Sequence, residues 1–187
     1  MTESSTNDGN KINVIYECKG DGRLERIFGA KFVENNKNNI ELRINGMESE
    51  LVKEYKLKAD KNNEEIIIIK NKITNFKEMF YGCKALKCIE GLMNLDVKEI
   101  QDFSYMFREC SSLSDLKPIQ NWNVCNGTDF SLMFRGCSSL SDLKPIQNWN
   151  VSNGTNFSEM FRGCSSLSDL KPIQNWNVSK DLLKKIK

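Results

Sequence analysis

The sequence contains no histidine. That removes Ser-His-Asp and Cys-His nucleophile pairs, imidazole acid–base chemistry and every His-ligated zinc or iron site. It has only 3 prolines in 187 residues, and no long apolar run. The amino terminus, MTESSTNDGNKINVIYECKG, is polar, so neither a secretory signal nor a membrane span is expected there. Neither sign of charge dominates: 27 Lys and Arg face 25 Asp and Glu. Split after Lys70, the first part has 12 basic and 13 acidic residues and the second has 15 and 12. A nucleic-acid binder concentrates basic charge in a patch or stripe, so no nucleic-acid partner is expected. The 7 cysteines are odd in number and form no CxxC pair, which favours a reducing, cytoplasmic setting. There is no glycine-rich phosphate loop, kinase signature, nucleophile elbow or paired-carboxylate spacing. Together these absences describe a chain with no enzymatic activity, no cofactor and no metal.

What is present is repetition. The stretch CSSLSDLKPIQNWNV occurs at Cys110–Val124, Cys137–Val151 and Cys164–Val178, 27 residues apart, and a diverged copy precedes them. Aligned at that period, Phe76, Phe103, Phe130 and Phe157 form one column, and Phe80, Phe107, Phe134 and Phe161 a second. Cys83, Cys110, Cys137 and Cys164 form a third, and Leu86, Leu113, Leu140 and Leu167 a fourth. Leu95 gives way to Trp122, Trp149 and Trp176. Identical copies suit additive contacts along a surface better than a single catalytic pocket.

Within a copy, Phe130, Met133, Phe134 and Cys137 fall at i, i+3, i+4 and i+7. That spacing predicts a helix of about two turns, with Asn75, Asp102, Asp129 or Asn156 as N-cap and Gly82, Gly136 or Gly163 as the stop. The second half, CxxLxxLxxIxxWxV, predicts very short strands near residues 141–143 and 149–151, interrupted by Pro118, Pro145 and Pro172. The expected fold is therefore α/β: a short leucine-rich-like solenoid of about four 27-residue coils with an N-terminal antiparallel β cap.

The segment NFSEMFRGCSSLSDLKPIQNWNVS at Asn156–Ser179 resembles the repeat of BspA-like leucine-rich-repeat proteins, and more narrowly that of mycoplasma lipoprotein-associated surface proteins. The resemblance covers roughly residues 71–180. It implies a repeat fold and a role in adhesion or protein interaction.

Upstream, residues 11–70 differ in texture. Ile12, Val14 and Tyr16 alternate, Ile27–Val33 is a second apolar run, and Ile40, Leu42 and Ile44 lead into Asn45-Gly46, a strong hairpin signal. EEIIIIK at Glu64–Lys70 reads as a buried strand. The sequence thus divides into a disordered tail (1–10), a small β capping module (11–70), the repeats (71–180) and a basic tail or capping helix (181–187).

Several columns invite functional readings. The cysteine column places thiols in a line rather than around a point, which a tetrahedral site cannot use, so it reads as core. The tryptophan stripe is either a stacked platform or packing, and the Leu95 equivalence favours packing. Asp115, Asp142 and Asp169 lie two residues before Lys117, Lys144 and Lys171, with Gln120, Gln147 and Gln174 beyond them. Arg108, Arg135 and Arg162 make a basic row. These twelve residues read either as solvated surface or as a shallow docking face for a protein or an acidic peptide. The functional expectation is a monomeric, non-catalytic protein-interaction module. The alternative is a cell-surface or secreted adhesin binding host protein or glycan, for which Asn126, Asn153 and Asn177 would be glycosylation acceptors.

Overall fold

The computed structural model describes residues 11–18, 24–57, 61–69 and 75–186. The reading of 1–10 as a tail lies outside them, as does the side-chain burial expected of 64–70. The regular elements are few: β1 (Lys11–Cys18), β2 (Leu24–Arg26), α1 (Ala30–Asn36), β3 (Ile40–Ile44), β4 (Met47–Ser49), β5 (Glu54–Lys56), β6 (Lys61–Ile69), β7 (Leu86–Cys88) and α2 (Lys180–Lys184). Short 3-10 turns at Glu90–Asn94, Lys117–Ile119, Lys144–Ile146 and Lys171–Ile173 complete them.

An antiparallel sheet runs in the order β4-β3-β6-β1-β7, and β2 pairs with β5 in a separate ribbon. Asn45 and Gly46, at φ 51° and 82°, form the two-residue turn that pairs Ile44 with Met47, as that dipeptide favours. The apolar run 27–33 does not become a strand. Ile27 and Phe28 are buried, and the chain then turns into α1, which buries Phe32. Tyr16 donates its hydroxyl proton to the Ile27 carbonyl at 2.6 Å, fixing that crossing against β1.

The expected leucine-rich-like solenoid with a β cap is not what forms. The protein is a small mixed α/β molecule with few regular elements, and its described repeat residues contain no α-helix before α2. The expected helix fails because the chain enters the left-handed region at Glu78, Tyr105, Leu132 and Glu159 (φ 54° to 63°) and again at Glu109 and Gly136 (φ 63° and 77°). No right-handed helix passes through such residues. The expected strands at 141–143 and 149–151 fail as well, because Lys144-Pro145-Ile146 closes a 3-10 turn with Ile146 N–H donating to the Leu143 carbonyl at 3.1 Å. The antiparallel strands are not a self-contained cap either, since β7, from the first repeat copy, completes their sheet against β1.

The copies nevertheless lie on one another in register. Phe103, Tyr105, Phe107 and Glu109 donate their amides to the carbonyls of Asp129, Ser131, Met133 and Arg135 at 2.6–3.0 Å, and the neighbouring copies do likewise. Intervening amides close local turns, as Met106 to Phe103 and Arg108 to Tyr105. Alternate residues thus serve the copy itself and its neighbour, which satisfies the backbone without helix or sheet. Asn75, Asp102, Asp129 and Asn156 mark the seam as isolated parallel bridges. Instead of capping helices, Asp129 Oδ1 accepts the Ser131 amide at 2.8 Å, an Asx turn.

The core is a set of ring columns. Phe107, Phe134 and Phe161 stack at 5.5 and 5.6 Å, nearly parallel, and Phe80 extends them at 5.6 Å. Phe28 stacks on Phe80 at 5.9 Å and Phe32 on Phe28 at 5.6 Å, so α1 and the loop before it continue the same column. Phe103, Phe130 and Phe157 make a parallel column at 5.3 and 5.2 Å.

Candidate interaction face

The two chemistries most tempting in the sequence are absorbed by the core. Trp122, Trp149 and Trp176 are buried, and their Nε1–H groups donate to the carbonyls of Leu92, Ile119 and Ile146 at 2.9, 3.1 and 3.2 Å. The indoles are rungs between copies, not a platform. Cys110, Cys137 and Cys164 are also buried, and their thiols donate to the carbonyls of Phe80, Phe107 and Phe134 at 3.0–3.1 Å. Burial pushes the thiols of Cys110 and Cys137 well above their ordinary value, and neighbouring thiols of the column add to the effect. Such groups remain protonated and unreactive at neutral pH. Among the described residues, no three His, Cys, Asp or Glu side chains converge as metal ligands.

On the side formed by the 3-10 turns, Asp115, Asp142, Asp169, Lys117, Lys144, Lys171, Gln120, Gln147 and Gln174 are all exposed. The aspartates have a structural task. Each Oδ1 accepts the backbone amide of the lysine two residues on, at 2.8, 2.9 and 2.8 Å. They fix the start of each turn, and only Lys171 reaches its aspartate, at 3.9 Å. That face is a solvated row of turn caps and lysines.

The arginine row is different. Arg108 lies over the rings of Tyr81 and Tyr105, at 5.2 and 5.4 Å, and pairs with Glu109 at 3.3 Å. Arg26 covers Tyr81 at 5.6 Å, and Lys77 covers Tyr105 at 5.8 Å. Tyr81 and Tyr105 meet edge to face at 6.4 Å. Further along, Glu159 bridges Arg135 at 2.9 Å and Arg162 at 3.0 Å. The three arginines are therefore brought into one row, but each is already held by aromatic rings or a carboxylate. The Arg108 Nε atom is buried with no hydrogen-bond partner, a desolvation cost of about 1–3 kcal/mol that the ring contacts offset.

Sequence reasoning missed Tyr81, Tyr105, Arg26 and Glu159. The signal lay in the columns where the copies disagree. Tyr81 replaces the arginine of the later copies, and the column Glu78, Tyr105, Leu132, Glu159 is variable beside the fixed column Met79, Met106, Met133, Met160. Variable positions on a fixed scaffold are the ones free to specialise.

A concavity of about 950 Å³ lies between α1, β3 and the β2–β5 ribbon. Val33, Leu51 and Val52 are among its apolar lining, and Glu34, Glu41 and Glu54 line it as well. Among the described residues, no helix is long and apolar enough to cross a membrane.

A family described as "Mycoplasma protein of unknown function, DUF285" matches residues 71–185. No curated protein matches the chain, and no solved structure does.

Proposed function

The chain belongs to the repeat-type DUF285 family, and from that premise we propose that it is a non-catalytic protein-interaction module. It binds a protein partner through the face carrying Tyr81, Tyr105, Arg108, Arg135 and Arg162. The carrying observation is Arg108 held over two tyrosine rings. Tyrosine and arginine dominate the energetics of protein interfaces, and side chains already immobilised lose little entropy on binding. Charge on this face is compensated by Glu54, Asp102, Glu109 and Glu159, which suits a protein of mixed charge rather than a polyanion. The reading includes kinship with BspA-like surface-protein repeats, carried by the motif at Asn156–Ser179, and a monomeric chain in the cytoplasm. The odd number of cysteines and the lack of CxxC pairs support the reducing compartment.

The test compares partner capture by the intact chain with capture by two variants. Tyr81→Ala with Arg108→Ala is expected to lose the partner. Lys117→Ala with Lys144→Ala and Lys171→Ala is expected to keep it. Retention by the first variant, or loss by the second, would overturn the assignment of the face.

A further inference from the structure

Two columns of the repeat enter the left-handed region, and they are filled differently. Gly82, Glu109, Gly136 and Gly163, at φ 63° to 78°, use glycine in all copies but one. Glu78, Tyr105, Leu132 and Glu159, at φ 54° to 63°, do not use it at all. A side chain strains the backbone there and glycine relieves it. Strain of this kind collects at binding and switch sites. For Tyr105 and Glu159 a contact offsets the strain. Tyr105 meets Tyr81 edge to face and lies under Lys77 and Arg108. Glu159 bridges Arg135 of the copy before, at 2.9 Å, and Arg162 of its own copy, at 3.0 Å. Leu132 is half-buried and does not join the apolar side chains packed on the core.

The positions beside Leu132 that match those two arginines belong to Arg108, in the copy before, and Arg135, three residues on. The register is kept, since the Tyr105 and Leu132 amides donate to the equivalent carbonyls of Ser131 and Ser158, each at 3.0 Å. A leucine bonds neither arginine. Arg108 turns instead to the tyrosine rings and reaches Glu109 through Nη2, and Arg135 reaches Glu159 through Nη1. A guanidinium has five N–H donors, so both keep donors for a partner. Their side chains are 22% and 32% exposed, within a partner's reach. Along this row Arg108, Arg135 and Arg162 face two carboxylates, Glu109 and Glu159, which leaves one positive charge unmatched.

We propose that Leu132 is the seat of an acidic side chain of the partner. The partner segment carries Asp or Glu next to an aliphatic residue. Its aliphatic group rests on Leu132, and its carboxylate lies between Arg108 and Arg135 as Glu159 lies between Arg135 and Arg162. Arginine–carboxylate bonds are charge-assisted and directional, which fixes the partner's register along the copies. The seat rests on the reading of the tyrosine–arginine face as the partner's, and names what the partner brings to it.

A phage-displayed library of random short peptides, selected on the intact chain, tests this. The selected peptides are expected to share Asp or Glu beside Leu, Ile or Val. A synthetic peptide of the selected sequence, titrated by fluorescence polarisation, is expected to weaken about tenfold or more when its acid is replaced by the amide. Comparable weakening is expected when the chain carries Leu132→Glu, which supplies the carboxylate in cis. Glutamate already stands in this column at Glu78 and Glu159, so that variant is expected to fold, and its melting curve checks it. Leu132→Gln, which adds no charge, is expected to bind more tightly than Leu132→Glu. Selection of no peptide, selection without an acidic residue, or equal binding by the parent and Leu132→Glu would overturn the proposal. Partner capture separates the seat from the face. Capture lost with Tyr81→Ala and Arg108→Ala but kept with Leu132→Glu would overturn the seat alone, and capture kept by both variants would overturn seat and face together.

Discussion

Replacing Phe134 with alanine probes the register of the copies most directly. The ring is wholly buried and lies parallel between Phe107 at 5.5 Å and Phe161 at 5.6 Å. Truncating a buried phenylalanine costs about 3–5 kcal/mol, the sum of lost transfer energy and of the cavity left behind. The cavity term depends on whether the walls can close. Here they are pinned, because Phe107 N–H donates to the Met133 carbonyl at 2.9 Å and Phe134 N–H to the Met160 carbonyl at 3.0 Å. Two stacked pairs are also lost, each contributing about 0.5–1.5 kcal/mol beyond its area. The expected cost is therefore at the upper end, about 4–5 kcal/mol, against a total of about 5–15 kcal/mol for a typical domain. Urea unfolding of the variant and the parent measures it, with m-values checked for equality. Lys144→Glu, on the exposed row, is the control and is expected to stay within about 0.5 kcal/mol. A Phe134→Ala cost below about 1 kcal/mol at unchanged m would refute the interlocked rings.

Trp149→Phe removes the indole donor to the Ile119 carbonyl, which keeps the Trp122 amide. A loss of about 1–2 kcal/mol in chemical unfolding is expected, and no loss would contradict the rung. Asp142→Ala removes the acceptor for the Lys144 amide and is expected to cost about 0.5–2 kcal/mol, whereas Asp142→Asn, which keeps an acceptor, stays near the parent. Equal stability of all three would show that the aspartates do not cap the turns. Gly154→Ala places a Cβ against the Phe157 ring and 3.0 Å from the Val151 carbonyl oxygen, so a loss of about 1–3 kcal/mol is expected in thermal melts. The thiols set a pH dependence. With the Cys110 and Cys137 pKa values raised on folding, the unfolded chain gives up those protons first. Stability is then full below the free-thiol pKa, about 8.5, and falls as pH rises from there towards the raised folded values. A Cys110→Ala, Cys137→Ala double variant is expected to show a shallower decline between pH 8 and 10, roughly the window above the free-thiol pKa. An unchanged slope would contradict that origin.

The periodic columns were legible because burial at fixed spacing is written directly into residue type. Phe80, Phe107, Phe134 and Phe161 needed only alignment. The Asn45-Gly46 hairpin was legible for the same local reason. The helix was not, because Phe130, Met133, Phe134 and Cys137 point inward from a chain of turns, and that spacing does not distinguish turns from helix once the amides bond to a neighbouring copy. Leu132 and Glu159 at positive φ carry no sequence mark, since neither residue type favours that conformation. Gly136 did carry one, but it read as a helix stop. Phe28 was missed as part of the ring column because it lies outside the period and reaches Phe80 only through the fold. Of the twelve polar residues, Arg108 and Arg135 are half-buried and the other ten are exposed. Which of them sit beside aromatic rings depended on Tyr81 and Tyr105, whose role is visible only once the copies are laid side by side.

The identity of the central copies has an evolutionary corollary. Because Phe107, Phe134 and Phe161 meet at nearly equal distances and nearly parallel, removing or inserting one unit of 27 residues would recreate the ring stacking at the new junction. Unequal recombination within the coding sequence could therefore lengthen or shorten the protein without passing through a misfolded ancestor. A deletion of any other length would throw each ring off its neighbour.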